Sequence, residues 1–158
     1  MIRYLPPVLI ELALSWAEKQ AALILRDGMP LDAGKIDLAR SAGVAHPERI
    51  RLLQVARIPL PNDPQLTRMA TAMGFLRPGL AGLTLGYGIY LRHGYGTPRI
   101  LSHEFRHVYQ YEQAGSIAAF LPEYLRQIAQ YGYANAPLEV DARTCEAQEA
   151  VPRSPGAG

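Results

Sequence analysis

The sequence predicts an α+β fold, a small sheet flanked by helices, in a single domain over residues 1–150. Three observations lead there. Segments with apolar residues at helical spacing, bounded by capping residues, are interrupted by two leucine-rich and β-branched runs of strand character. At 158 residues the chain is long enough for one substantial core and short for two. Apolar residues make up 49% and charged residues 19%, a balance that excludes a disordered chain.

The first helix is expected from Pro7 to Asp27, stopped by Gly28, with Leu5, Leu9, Leu12, Trp16 and Leu23 on its apolar side. Glu11, Glu18 and Lys19 break the apolar run, so no stretch reaches bilayer length, and no secretory signal pattern precedes it. A Gly- and Asp-containing linker follows. Ile50, Leu52, Val55 and Ile58 then read as a buried strand closed by Pro59 and Pro61. Asp63 as N-cap, Pro64 at the first helical position and Gly74 as terminator frame the next helix. Its core face is Leu66, Met69, Ala70 and Met73.

From Leu83 to Leu91 the pattern alternates as a strand. Leu83, Leu85, Tyr87, Ile89 and Leu91 take one face, and Thr84, Gly86, Gly88 and Tyr90 take the other. The small residues suit an edge strand or the close approach of another backbone, and they match no nucleotide-binding fingerprint. Thr97, Pro98 and Gly115 bound a further helix. Ser116 starts a short connector into a helix over residues 122–131 stopped by Gly132, and Asn135 and Pro137 open the last helix. Residues 151–158 read as a disordered tail.

The formal charge is +2, with fourteen Arg against two Lys scattered singly from Arg3 to Arg153, so no nucleic-acid footprint is expected. A lone cysteine, Cys145, excludes an internal disulfide and fits a reducing compartment. The expectation is therefore a soluble cytoplasmic protein with no membrane insertion.

The chemistry concentrates in His103-Glu104-x-x-His107. Residues four apart share a helix face, so both imidazoles can serve one metal ion. Glu104 lies one step round from the first histidine, where its carboxylate can take a proton from a zinc-bound water. A catalytic zinc needs a third protein ligand, with a fourth position left open. His107 is the last histidine, so a downstream third ligand must be a carboxylate: Glu112, Glu123, Glu139, Asp141, Glu146 or Glu149. Glu112 lies five residues past His107 and points away. Glu123, beside Pro122, reads as a solvated acid at a helix start. Glu139, in the first turn of a new helix after a Gly/Asn/Pro connection, is better placed. His46 and His93 read as solvent-facing, and Cys145 as a buried thiol.

The order of strand "GLTLGYGIYL", helix "HEFRHVYQ" and segment "NAPLEVDAR" resembles the Glu-zincin metallopeptidases. More narrowly, it is similar to small predicted zinc-peptidase domains with a His-Val-x-Gln helix and a later Asn-x-Pro-x-Glu-x-x-Ala segment, over about residues 80–145. The resemblance implies a zincin-like fold, a Zn2+ cofactor held by His103, His107 and Glu139, and Glu104 as general base. It also implies a peptide or protein substrate added to the edge of the Leu83–Leu91 strand. A catalytically weak or inactive zinc-binding scaffold of the same fold is the alternative. Many Glu-zincins carry an Asp four residues after the third ligand; here Arg143 stands there. Asn135, Asp141 or a backbone carbonyl is then a candidate to orient the histidines, Gln110 either stabilises its helix or approaches the site, and Tyr131 and Tyr133 are candidate transition-state donors.

Overall fold

The computed structural model describes residues 4–147 apart from residue 78. Among the described residues six helices surround a four-stranded mixed sheet. The elements in chain order are α1 (Pro7–Asp27), β1 (Met29–Pro30), α2 (Ala33–Ser41), a 3-10 turn (Pro47–Arg49), β2 (Arg51–Val55), α3 (Pro64–Ala72), β3 (Gly82–Leu85), β4 (Gly88–Arg92), α4 (Pro98–Ala114), α5 (Ile117–Tyr131) and α6 (Pro137–Thr144). The strand order is β1-β2-β4-β3, so β3 is an edge. Only the β2–β4 pair is parallel. Among the described residues no helix is long and apolar enough to cross a membrane.

The sheet carries a core on each face. On one side Leu83, Leu85 and Tyr90 pack with α1, α3 and α5; on the other Ile89, Leu91 and Leu52 pack with Leu101, Phe105 and Val108 of α4 and with Ala39 of α2. Full burial of side chains such as Phe105 and Val108 is worth roughly 1.5–3 kcal/mol each, and it fixes how α4 is rotated about its axis.

Several sequence-based expectations need correction. The expected single strand Leu83–Leu91 is a hairpin, with Leu85 paired to Gly88 across the two-residue loop Gly86-Tyr87. Gly86 takes φ 67°, which a two-residue hairpin loop requires and other residues resist. Because Thr84 pairs with Ile89, the reversal puts Leu83 and Leu85 on the opposite face from Ile89 and Leu91. The expected linker after Gly28 contains β1 and α2; Asp32 caps α2 by accepting from the Lys35 amide at 2.9 Å, while a single buried residue, Ala39, leaves little apolar pattern to read. Ser116 is the N-cap of one continuous α5 that runs through Pro122, so Glu123 is in mid-helix, exposed and paired with Arg126. The fully buried stripe of α1 is Ala13, Ala17, Ala21 and Ile24, where the small alanine side chains let the helix lie close to the sheet. Of the expected apolar side, Leu5, Leu9 and Trp16 pack partly buried against the same core, and Leu12 is exposed.

Other expectations hold. The bounds of α1 coincide with Pro7 and Asp27, the apolar face of α3 is buried as read, and Thr97 and Gly115 cap α4, Gly115 at φ 97°. The tail at 151–158 lies outside the described residues. Glu112 does turn away from the two histidines. It accepts from the Ala45 and His46 amides and the Tyr87 hydroxyl at 2.8, 3.0 and 2.8 Å, locking α4 to the chain before β2 and to the hairpin turn.

Close approach also governs the end of α1. A Cβ on Gly28 would stand 2.6 Å from the Ile24 carbonyl oxygen and 3.1 Å from that of Leu52. Gly28→Ala should therefore cost about 1–3 kcal/mol, read as a lower urea midpoint with an unchanged slope. An unchanged midpoint would contradict this packing.

Candidate metal centre

With its apolar stripe against the sheet, α4 presents His103 and His107 toward α6 and Glu104 toward β3. The chain leaves α5 at Gly132, φ 81°, and re-enters a helix at Pro137. Gln127 of α5 accepts from the Leu138 amide at 3.0 Å and anchors the start of α6. Glu139, in that first turn, is thereby aimed between the two imidazoles. It is 1% exposed. Its Oε1 lies 3.0 Å from His107 Nε2, and its Oε2 lies 3.2 Å from His103 Nε2. One nitrogen or oxygen from each of the three residues falls within 4.8 Å of the others.

The hydrogen-bond network dictates which ring nitrogens carry hydrogen. Gln110 Nε2 donates to the Leu138 carbonyl at 2.9 Å and to Asp141 Oδ2 at 2.8 Å, both pure acceptors, so its Oε1 is the end facing His107. His107 Nδ1, 2.8 Å from that oxygen, must donate. His103 Nδ1 likewise donates to Glu146 Oε1 at 3.0 Å. Neutral imidazoles held this way turn bare Nε2 lone pairs toward a carboxylate that also only accepts. Acceptors do not face acceptors at such distances unless a cation or protons lie between them. Glu139 Oε1 receives the Tyr124 hydroxyl at 2.5 Å, but Oε2 is buried and accepts no hydrogen bond.

The titration tendencies express the same frustration without a metal. Burial opposes a charge on His107, yet the Glu139 carboxylate beside it outweighs burial and raises its pKa to about 9. Burial likewise opposes charge on His103, and its contact with Glu139 and the nearby charge of Glu104 push it up. Burial would raise the pKa of Glu139, but the two imidazoles and the Tyr124 hydroxyl hold it well below the usual carboxylate range.

These donors fit a zinc ion. Ligands at about 2.0–2.1 Å in tetrahedral array stand roughly 3.3 Å apart, close to the two nitrogen–oxygen separations above. The orphaned Oε2 is the acceptor such an ion would satisfy. Behind the donors stands a second layer. Asp141 holds Gln110 and is itself gripped by Arg106 at 2.8 Å, and Arg106 donates on to the Ala42 carbonyl at 2.9 Å. Glu146 lies 3.6 Å from Arg99, and the adjacent Ala147 amide donates to Ser102 Oγ at 2.7 Å. The orienting residues are thus Gln110 and Glu146, with Asp141 acting through Gln110; Asn135 is exposed and takes no part.

Glu104 occupies the wall beside the donors. Thr84 donates to its Oε2 at 2.6 Å, and a Cβ on Gly82 would stand 3.0 Å from its Oε1, so a larger residue there would press on the Glu104 side chain. A cleft of about 300 Å³ opens here, lined by Gly82, His103, Glu104, Tyr133 and Glu139 among others. A cavity of about 20 Å³, with room for one water-sized molecule, lies behind Glu104, His107 and Tyr124. Of the two tyrosine candidates, Tyr133 lines both spaces and its hydroxyl has no hydrogen-bond partner among the described residues, whereas Tyr131 is exposed. His46 and His93 are exposed and outside the cluster, as expected; Cys145 is half-buried rather than buried and is not a donor.

Sequence reasoning missed Tyr124 and Thr84, and it weighed Glu146 only as a ligand. Tyr124 and Glu146 carry no local signal, because helix crossing and chain return alone bring them in. Thr84 was visible only as a small polar residue among glycines.

No protein-family model, curated protein or solved structure matches this chain.

Gln110→Leu removes the acceptor for His107 Nδ1 at nearly constant volume. Metal-competition titration should show zinc affinity falling about 10–100-fold, with far-UV circular dichroism retained. Wild-type affinity in this variant would remove Gln110 from the account.

Proposed function

We propose that the chain is a zinc-dependent metallopeptidase with a zincin-type site, in which His103, His107 and Glu139 hold the metal and Glu104 is the general base. The observation that carries this reading is the convergence of two Nε2 atoms on a buried carboxylate with an unsatisfied oxygen. Protonating both imidazoles would also fill the gap, but it would set two cations side by side, with ring centroids 4.9 Å apart, in a buried site. A single divalent ion removes that repulsion. Two histidines and one carboxylate are a donor set that catalytic zinc uses, with a coordination position left over. When bound, zinc supplies Lewis acidity and makes water acidic enough to lose a proton near neutrality.

The chain's own residues supply the rest. Glu104 Oε2 is held by Thr84, which leaves Oε1 to receive a proton and later deliver it to the leaving amine. β3 is the edge strand of the sheet, against which an extended peptide would add. The Tyr133 hydroxyl is the donor available to a developing oxyanion.

A zinc-binding scaffold without catalysis is the second reading, and the burial of Glu104, 7% exposed, is what favours it. Mass spectrometry of a peptide mixture incubated with zinc-loaded wild type and Glu104→Gln separates the two. The enzyme reading expects the variant to keep its zinc while cleavage slows about 10²–10⁴-fold. A zinc-loaded wild type that cuts nothing leaves the scaffold; a variant that cuts at the wild-type rate removes Glu104 as base.

A further inference from the structure

Arg57 follows β2, Arg77 lies between α3 and β3, and Arg92 ends β4. Despite this separation all three line one cavity of about 230 Å³, together with Ile58, Leu60 and Leu80. Among the described residues no acidic side chain lines it. None of the three guanidinium groups is paired with a carboxylate among the described residues, whereas Arg26, Arg99, Arg106 and Arg126 each are. Two of them are supported by aromatic rings instead: Arg77 stands 5.1 Å from the Tyr133 ring centroid, and Arg92 stands 5.1 Å from that of Tyr95. Such contacts orient a guanidinium plane without neutralising its charge. Three like charges around one apolar-floored hollow repel one another, and an anion relieves that repulsion.

The position of the hollow says which anion. Arg77 and Leu80 line both this cavity and the cleft that contains His103, Glu104 and Glu139. Leu80 lies two residues before β3, the edge strand of the sheet. We propose that the arginine cavity is a subsite for an Asp or Glu side chain of an extended peptide lying in the adjoining cleft. The ligand being a peptide rests on the metallopeptidase reading; the anion preference rests on the arginines alone. The guanidinium fork matches a carboxylate through paired N–H donors, which a lysine could not do. A nucleic acid is disfavoured, because a phosphate backbone needs a stripe of basic residues and the remaining arginines are scattered.

The test uses the full zinc-loaded chain carrying Glu104→Gln, so that bound peptide is not cut. Fluorescence anisotropy compares a labelled peptide with glutamate at alternate positions against its glutamine counterpart. The glutamate peptide should bind about tenfold more tightly at low salt, the preference expected of three partly exposed charge pairs, and less so as salt rises. Adding Arg57→Gln, Arg77→Gln and Arg92→Gln should bring the two peptides within about twofold while zinc content stays the same. A charge-matched control, Arg40→Gln, Arg68→Gln and Arg126→Gln, should keep the preference. If the triple variant does not fold, each single arginine variant should cut the preference about twofold.

Equal binding of the two peptides, a preference that survives the triple variant, or equal loss in the control overturns the subsite. So does tighter binding of a single-stranded oligonucleotide of equal charge. A chain that holds no zinc but keeps the preference retains the subsite and loses the peptidase reading. A chain that holds zinc and cleaves peptides without the preference loses the subsite alone.

Discussion

The contact on which the rest depends is the Glu139 carboxylate buried between His103 and His107. An ionised carboxylate at 1% exposure is costly unless its oxygens are satisfied. The Tyr124 hydroxyl and the amino-terminal turn of α6 offset part of that cost, and the imidazoles face the remainder. Much of the surrounding architecture serves this arrangement. The sheet sets the rotation of α4, α5 delivers Tyr124 and Gln127, and the network from Gln110 through Asp141 to Arg106 stiffens His107. Replacing Glu139 alone would leave two histidines pointing at nothing. Such a half-dismantled polar cluster is worse than either a complete one or an apolar core.

The same arrangement couples α6 to whatever fills the site. α6 has eight residues, too few to be helical in isolation, and its buried residues are Glu139 and Ala142. Its hold on the domain therefore leans on polar contacts: the Leu138 amide to Gln127, the Leu138 carbonyl and Asp141 to Gln110, and Glu139 to the histidines. On the proposed reading, a cation shared between α4 and α6 would tie the two helices together. Metal binding and the local order of α6 would then be one equilibrium rather than two.

How far this was legible in the sequence varies by element. Asp63-Pro64, Thr97-Pro98 and the terminal glycines Gly28, Gly115 and Gly132 mark helix ends through local backbone chemistry, and those ends were readable. α2 was not, since Gly34, Lys35 and a single buried alanine leave no stripe. The β3–β4 turn was hidden because Leu-Gly-Tyr-Gly continues a strand-like alternation, and only the positive φ of Gly86 breaks it. For the site, the spacing of His103, Glu104 and His107 is a property of one helix and could be read directly. Glu139 was the better placed of six acids by its position in a helix start, a resemblance singled it out, and the fold brings it to the histidines. Glu146, Tyr124 and Thr84 join only through tertiary contacts, which no local pattern encodes.

On the proposed reading the gap between the two Nε2 atoms and Glu139 is a metal site. The direct measurement is metal content by inductively coupled plasma mass spectrometry, on chain purified without a histidine tag and dialysed at neutral pH after exposure to zinc. Close to one zinc per chain is expected, held in preference to magnesium or calcium, and lost in Glu139→Ala. Less than about a tenth of an equivalent in the wild type, where a three-ligand protein site should be filled, would contradict it.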